Sequence, residues 1–310
     1  MHEIITLQLG QKSNYLATHF WNAQESYFTY SADQESPVDH DIHFRPGIGA
    51  DGTETFTPRT LIYDLKGGFG SLRKISALYE IDEPINPEGL WNGPSAIQRQ
   101  EAIQQHAYQR SLEEGAKPPR LTTQSLNEYD LNSRLMPFET WDVGKELFDS
   151  LDKEHEILDR DLRFFAEEAD QMQGIQVVAG IDDAWGGFAS SYMERLRDEY
   201  GKTTIWCWGL EDSLKGVPRQ KQLLRQSNTA RCLSEISSQA SLFVPLTLPS
   251  KLAGYVTLDP QSQWDVSGLL STAFESMTLP SRLKPQQGLR QTTQPEQPYQ
   301  IRGDFPKPRF

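Results

Sequence analysis

Short apolar runs recur along the chain at the length of buried strands. They lie at residues 3–9, 60–65, 174–181, 203–210 and 241–248. The first three run straight into loops rich in glycine or aspartate, and helical patterns follow the first and third at residues 15–23 and 188–200. Repeated strand, loop and helix units indicate a parallel sheet with helices on both faces. The predicted fold class is therefore α/β.

The segments outside these strands indicate how the chain is divided into helices, a loop, an insertion and a tail. Residues 141–172 predict an amphipathic helix or a broken pair, and residues 220–239 predict another helix. A polar stretch at 31–58 indicates a loop. Residues 82–136 are polar and Gln-rich, with one predicted helix at 95–114, and indicate an insertion between two parts of one domain, at 1–81 and 137–279. Residues 280–310 hold too few large apolar side chains to offset their ordering entropy, so we expect a flexible tail.

The charge and the cysteine content of the chain argue against several classes of function. The net charge of −13 disfavours capture of nucleic acid or anionic lipid, so we expect no direct nucleic acid binding. Cys207 and Cys232 do not form a C-x-x-C pair, which argues against structural zinc and for a reducing compartment. The first residues show no secretory signal, and no run reaches the ~18 apolar residues of a membrane span. We expect a soluble intracellular protein without a transmembrane segment.

Three loops occupy the position where open α/β sheets bind ligands, beyond the carboxyl ends of strands. They are residues 10–14, 66–70 and 182–187. In the first loop Gly10 permits close approach of a ligand, and Gln11, Ser13 and Asn14 offer hydrogen bonds. Alternatively, Gly10 makes a tight turn and Asn14 caps the helix. In the third loop Asp182 and Asp183 could hold Mg²⁺ or cap a helix, and both interpretations stay open.

Standard catalytic and nucleotide motifs are absent from the sequence. Gly201-Lys202-Thr203 resembles the end of a P-loop, but Leu196 stands where the first glycine is needed. No G-x-S-x-G occurs, and the His40-Asp41-Ile42-His43 pair is typical of a solvated loop. We therefore predict no catalytic residues and no metal site.

The order of these pieces resembles the tubulin superfamily, and within it the Misato family of tubulin-like proteins. The opening MHEIITLQLGQKSNYLATHFW is similar to the tubulin strand, G-Q-x-x-N loop and helix. RTLIYDLKGGFGSLR at 59–73 resembles the next strand and loop. GIDDAWGGFASSYMERLRDEY at 180–200 is similar to the glycine-rich signature and its helix, and favours Misato over tubulin itself. The resemblance implies a tubulin-like, Rossmann-like GTPase-type domain with a truncated second domain, for which filament formation is not expected.

The resemblance also implies a vestigial nucleotide site. Its residues would be Gly10, Gln11, Asn14, Gly186, Gly187 and Asn228, the last resembling an asparagine that contacts guanosine in tubulins. Tubulins carry G-G-G-T-G-S-G where this chain has two aspartates and Trp185, and Lys66 replaces an acidic metal-positioning residue. Like charges about 4 Å apart repel by ~4 kcal/mol at an effective dielectric of about 20, so phosphate binding would weaken about a thousandfold unless a cation intervened. We expect no cofactor; the alternative is GTP with Mg²⁺.

The function implied by the resemblance is a non-enzymatic role in mitochondrial distribution and morphology and in inheritance of mitochondrial DNA. The chain would act through protein partners, with tubulin or cytoskeletal and mitochondrial outer-surface factors as candidates. It would associate with the mitochondrion and otherwise be cytoplasmic. Trp185 and Phe188 would suit a protein interface if exposed and core packing if buried. The alternative function is a GTP-binding GTPase with an Mg-dependent, modified phosphate loop.

Overall fold

The computed structural model describes residues 3–29, 35–48, 52, 54–66, 68, 126–129 and 137–284, and contains a parallel sheet. Its strands are β1 (Glu3–Leu9), β4 (Thr60–Leu65), β5 (Leu126–Tyr129), β6 (Met172–Gly180), β7 (Thr204–Glu211) and β8 (Leu242–Thr247). They lie in the order β5-β4-β1-β6-β7-β8, and each neighbouring pair is parallel. The α/β prediction is confirmed.

Helices cover both faces of this sheet. They are α1 (Gln11–Ser26), α2 (Trp141–His155), α3 (Arg163–Glu168), α4 (Ala184–Glu199), α5 (Arg219–Gln239) and α6 (Gln263–Thr278). One core joins Leu7 and Val177 of the sheet to buried side chains of α2, α4 and α5. The opposite core joins Val178 and Trp208 to α1 and α6. Successive strand residues thus alternate between two buried faces, as expected for a fully covered parallel sheet.

The region predicted as a loop at 31–58 holds ordered structure. A short 3₁₀ turn, His40–Ile42, precedes an antiparallel hairpin of β2 (Phe44–Ile48) and β3 (Glu54–Pro58). The loop prediction was wrong here because β2 contains Pro46 and Gly47, which disfavour strands except at edges. This ribbon has only two strands, so every position in it is an edge position.

Two further elements were not predicted. Strand β5 lies within the segment taken as a polar insertion, yet it pairs with β4 at the sheet edge. Helix α6 was overlooked because its buried face mixes Leu270 and Phe274 with small polar residues, Ser267 and Ser271. The predicted helix at 95–114 lies outside the described residues.

The predicted helix or broken pair at 141–172 is a broken pair. Helix α2 ends where Glu156 adopts a left-handed conformation with φ of 47°. A π-helical segment, Leu158–Leu162, and α3 follow it. A residue in the left-handed region cannot continue a right-handed helix, so Glu156 ends α2 and changes the direction of the chain.

The segment after α6 packs into the fold instead of starting a flexible tail. A short 3₁₀ turn, Leu279–Ser281, leads to Arg282, whose side chain is completely buried. Arg282 Nη2 lies 2.5 Å from Glu275 Oε1, and its carbonyl accepts a hydrogen bond from the Asp39 backbone at 2.8 Å. The tail prediction was therefore wrong for residues 280–284, and residues 285–310 lie outside the described part of the chain.

A buried histidine beside this segment gives the fold an acid sensitivity. His43 is 1% exposed and packs against the rings of Phe20 and Trp21. Burial and the nearby Arg282 guanidinium lower the pKa of His43 to about 3. The unfolded chain binds a proton below about pH 6.5 and the folded chain does not until about pH 3, so stability is lost as pH falls through this window.

We therefore expect His43→Phe to flatten the pH dependence of stability. From these two pKa values, protonation of His43 in the unfolded chain lowers the unfolding free energy of the wild type by about 2 kcal/mol between pH 7 and pH 5. The pKa values of His19 and His40 are also lowered by burial, so the difference between wild type and variant isolates His43. Denaturant unfolding followed by tryptophan fluorescence at both pH values measures it. Equal pH dependence in the two proteins would contradict the assignment.

Candidate functional site

The strand order places a crevice between the carboxyl ends of β1 and β6. The chain leaves β1 toward β4 on one side, and β6 lies on the other side of β1. This reversal of direction is the point at which open α/β sheets bind ligands. The segments that follow β1, β6 and β7 bring Lys12 and three aspartates to this point, and the Lys12 ammonium contacts the carboxylates of Asp182, Asp183 and Asp212.

An ammonium group occupies the centre of this crevice. Lys12 Nζ forms an ion pair with Asp182 Oδ1 and lies 3.2 Å from Asp183 Oδ2 and 3.1 Å from Asp212 Oδ2. Arg225 of α5 adds a second cation, with Nη2 3.1 Å from Asp212 Oδ2. Three carboxylates therefore meet two cations of the same chain. The cation that could offset repulsion between these carboxylates and a phosphate is thus supplied by the chain itself and is already paired with the aspartates.

Burial and the neighbouring charges shift the pKa values of the groups in this cluster. Burial alone would lower the pKa of Lys12, but Asp183, Asp182 and Asp212 outweigh burial and raise it above its usual range. Burial would raise the pKa of Asp212, but Lys12 and Arg225 outweigh it and the net shift is downward. Burial raises the pKa of Asp182, against the attraction of Lys12. Lys12 is thus a permanently charged partner for these carboxylates at neutral pH.

The amino terminus of α4 is capped by a carboxylate of the chain itself. Asp183 is the N-cap, and its Oδ1 accepts a hydrogen bond from the Trp185 amide at 2.9 Å. The loop predicted at 182–187 is therefore wrong beyond Asp183, since α4 begins at Ala184. Helix amino termini attract phosphate through free amides and the helix dipole. Here the Asp183 carboxylate takes the place that a phosphate oxygen would need.

An indole fills the space over the first loop. Gly10 has φ of 85°, and a β-carbon built there would overlap the Trp185 ring. Trp185 is 6% exposed and Phe188 is fully buried. Both side chains pack in the core, so of the two alternatives that the sequence left open, core packing is correct and an exposed protein interface is not. Only a glycine at position 10 allows this contact between the β1 loop and α4.

Sequence comparisons connect this architecture to known proteins. Residues 118–283 match a tubulin domain, and residues 2–114 match the Misato Segment II tubulin-like domain. The chain belongs to the Misato family of tubulin-like proteins. It is 59% identical to Protein dml-1 of Neurospora crassa over 308 residues, which is 92% of this chain and 57% of that protein.

Two further relatives give the same picture. Protein DML1 of Coccidioides immitis is 58% identical over 93% of this chain and 60% of its own length. Protein dml1 of Schizosaccharomyces pombe is 31% identical over 91% of this chain and 66% of its own length. The Misato chain described here thus spans about three fifths of the length of these curated relatives.

The two glycines carried over from the tubulin signature lie in the helix interface. Gly186 and Gly187 are buried in the first turn of α4. A β-carbon on Gly186 would overlap the Cys232 sulfur, and one on Gly187 would overlap the Trp141 carbonyl oxygen. In this Misato chain the glycines therefore allow α2 and α5 to pack closely on α4.

The Asn228 side chain forms hydrogen bonds with other groups of the protein. Its Nδ2 donates to the carbonyls of Glu139 at 2.8 Å and Asp182 at 3.1 Å, and its Oδ1 accepts from the Trp141 amide at 3.1 Å. The side chain is 3% exposed. It ties the start of α2 to the end of β6, so its hydrogen-bonding groups are used within the fold.

The first-loop residues divide between two environments. Gln11 is exposed, and Asn14 Nδ2 donates to Asp64 Oδ2 at 2.8 Å across the β1 and β4 loops. Asn14 does not cap α1, because Gly10 is the N-cap and makes no side-chain bond. Lys66 follows β4 at the surface. The structure thus places Gly10 against the Trp185 ring and Asn14 against Asp64.

Sequence reasoning missed Lys12, Asp64, Asp212 and Arg225. Asp212 directly follows β7, and Lys12 directly follows the Gly10 loop, so their positions at strand ends were available signals. Arg225 lies within α5, and only the fold brings it there. Over the described ranges, no group of three or more His, Cys, Asp or Glu residues could hold a metal ion, and no helix is long and apolar enough to cross a membrane.

Proposed function

We propose that this Misato-family chain is a non-enzymatic tubulin-like protein that acts through protein partners and uses no guanine nucleotide. The observation that carries the proposal is the Lys12 cluster at the crevice between β1 and β6. A nucleotide phosphate entering there would have to displace carboxylates from Lys12. It would also face the Asp183 cap and the Trp185 ring.

Electrostatics and shape support the same conclusion. Once separated from Lys12 and Arg225, the carboxylates would repel a phosphate, by ~4 kcal/mol for each pair of unit charges about 4 Å apart at an effective dielectric of about 20. Trp185 would also need to leave a site in which it is 6% exposed. Such rearrangements reduce affinity in proportion to their free energy.

The wider role that we propose is mitochondrial. Membership of the Misato family supports a part in mitochondrial distribution and morphology and in inheritance of mitochondrial DNA. Tubulin or cytoskeletal and mitochondrial outer-surface factors are the candidate partners, and the location would be the mitochondrion or otherwise the cytoplasm. The chain spans about three fifths of the length of these relatives, and the proposed role rests on its family membership.

Titration with fluorescent GTP, with and without Mg²⁺, tests the nucleotide part. We expect no saturable binding at micromolar concentrations, because the groups that would meet the phosphates are bound to one another. Tubulin treated identically is the positive control. Micromolar binding that Asp182→Ala abolishes would establish the rival function, a GTPase-like protein in which aspartates hold Mg²⁺.

Removal of the whole protein from cells tests the mitochondrial part. We expect altered mitochondrial distribution and loss of mitochondrial DNA from some daughter cells, both restored by the wild-type protein. Normal mitochondria after complete removal would contradict the role. The nucleotide titration is independent of this result, so the two parts of the proposal can fail separately.

A further inference from the structure

A row of polar side chains crosses the sheet beneath α1. Thr6, Gln8, Thr60 and Gln176 share one face, because Thr6 pairs in register with both Thr60 and Gln176. All four are at most 2% exposed. Gln8 Nε2 donates to Thr60 Oγ1 at 3.0 Å. Among the described residues, the Thr6 hydroxyl and both amide atoms of Gln176 have no hydrogen-bond partner.

The helix above this row cannot supply the missing partners. Ser13 and Thr18 of α1 donate to backbone carbonyls one turn earlier, and Gln24 donates to a glutamate of α6. The buried α1 positions between them include Leu16 and Ala17, which are apolar. The backbone groups of β1 and β6 are used in ladders with neighbours on both sides.

We propose that Gln176 and Thr6 hold an internal water molecule between the sheet and α1. Buried amides without partners are strongly disfavoured, and proteins satisfy them with internal water that makes two to four hydrogen bonds. Adjacent strands lie about 4.8 Å apart, so one water can reach the Thr6 hydroxyl and the Gln176 amide together. The water accepts a hydrogen bond from Gln176 Nε2 and donates one to Gln176 Oε1 or Thr6 Oγ1.

The same layer contains further buried nitrogen atoms. Trp208 Nε1 and Trp21 Nε1 have no partner in the described part of the chain, and both belong to the core that joins α1 to the sheet. The proposed water site is separate from the Lys12 crevice, so the proposal stands whether or not nucleotide binds.

Water-to-protein cross-relaxation in isotope-labelled protein tests this site. We expect the Gln176 side-chain amide protons to show cross-peaks with water of the sign produced by long-lived bound water. The exposed amide of Gln226 gives the bulk-water reference in the same spectrum. In Gln176→Met the same long-lived water contact should vanish from the Thr6 hydroxyl or methyl.

A high-resolution crystal structure of the wild type keeps the proposal testable if Gln176→Met does not fold. We expect an ordered water within hydrogen-bond distance of Gln176 and Thr6. Electron density in which the Gln176 amide bonds only to protein atoms, or an amide without contact to long-lived water, would overturn the proposal.

Discussion

Replacing Lys12 by methionine is expected to lower the unfolding free energy by about 3–5 kcal/mol, the range for removing one partner of a buried ion pair. The variant leaves Asp182, Asp183 and Asp212 facing one another without the ammonium they now share. The Lys12 side chain is 18% exposed, so little solvent screening is available. Denaturant unfolding of the variant and the wild type measures the loss.

The same variant should gain a response to divalent cations. The three aspartates do not form a metal site as they stand, but without the ammonium between them their carboxylates are free to turn toward one divalent cation, and carboxylate oxygens are ligands that Ca²⁺ and Mg²⁺ prefer. We expect Ca²⁺ to raise the melting temperature of Lys12→Met and to leave that of the wild type unchanged, since ligand binding stabilises only the form that binds. Lys202→Met, at an exposed lysine, is the matched control. A Lys12→Met protein as stable as this control, and indifferent to Ca²⁺, would show that Lys12 does not serve as the internal cation.

Replacing Arg282 by methionine is expected to cost about 3–5 kcal/mol of unfolding free energy. The guanidinium is fully buried, pairs with Glu275, and lies 5.3 Å from the Phe20 ring centre. Its loss leaves the Glu275 carboxylate with neutral donors, Gln24 and Tyr27. The variant also loosens the segment that pairs with residues 37–39.

Arg231→Met is the control for Arg282→Met. Arg231 pairs with Asp142 at the surface, where the two side chains are 48% and 71% exposed, and we expect its loss to lower the unfolding free energy by at most about 1 kcal/mol. The double variant Arg282→Met with Glu275→Gln should recover part of the Arg282 loss, because it removes the unpaired charge. Equal stabilities of Arg282→Met and Arg231→Met would refute the importance of the buried pair.

All strands of the described sheet except β5 could be predicted, because most of their residues are apolar or favour strands. β1 and β4 have the predicted bounds, and β6 and β7 differ by one or two residues at each end. Strands buried on both faces of a parallel sheet are rich in apolar residues, and such short runs are easily recognised even when a few polar residues interrupt them. The hairpin of β2 and β3 escaped this test because its short ribbon includes Pro46 and Gly47. Likewise, Arg282 is polar in sequence, and only its pairing with Glu275 explains its burial.

The location of the candidate site could be predicted, but its chemistry could not. Gly10 and Asp182 were placed at strand ends, and the structure brings them to one crevice. The partner of Asp182 is Lys12, which is 170 residues away along the chain. Sequence periodicity carries no information on such a distant contact. The same limit applies to Asn228, whose three hydrogen bonds depend on how α2 and α5 meet.

The Misato-family site therefore keeps the backbone geometry of a ligand crevice and fills it with its own side chains. Asp183 caps α4, Trp185 covers Gly10, and Lys12 joins the carboxylates. If the protein neither binds nor hydrolyses GTP, the Lys12 ion pairs hold the carboxyl ends of β1, β6 and β7 together at all times, and GTP does not regulate this contact. Partner binding would then be constitutive with respect to nucleotide.

A crystal structure of the protein grown with GTP and Mg²⁺ would show whether the crevice between β1 and β6 admits nucleotide. We expect Lys12 among Asp182, Asp183 and Asp212, the Trp185 indole against Gly10, and no nucleotide between β1 and β6. A guanosine phosphate seated in that crevice, with Lys12 released from the aspartates and Trp185 turned away, would contradict it.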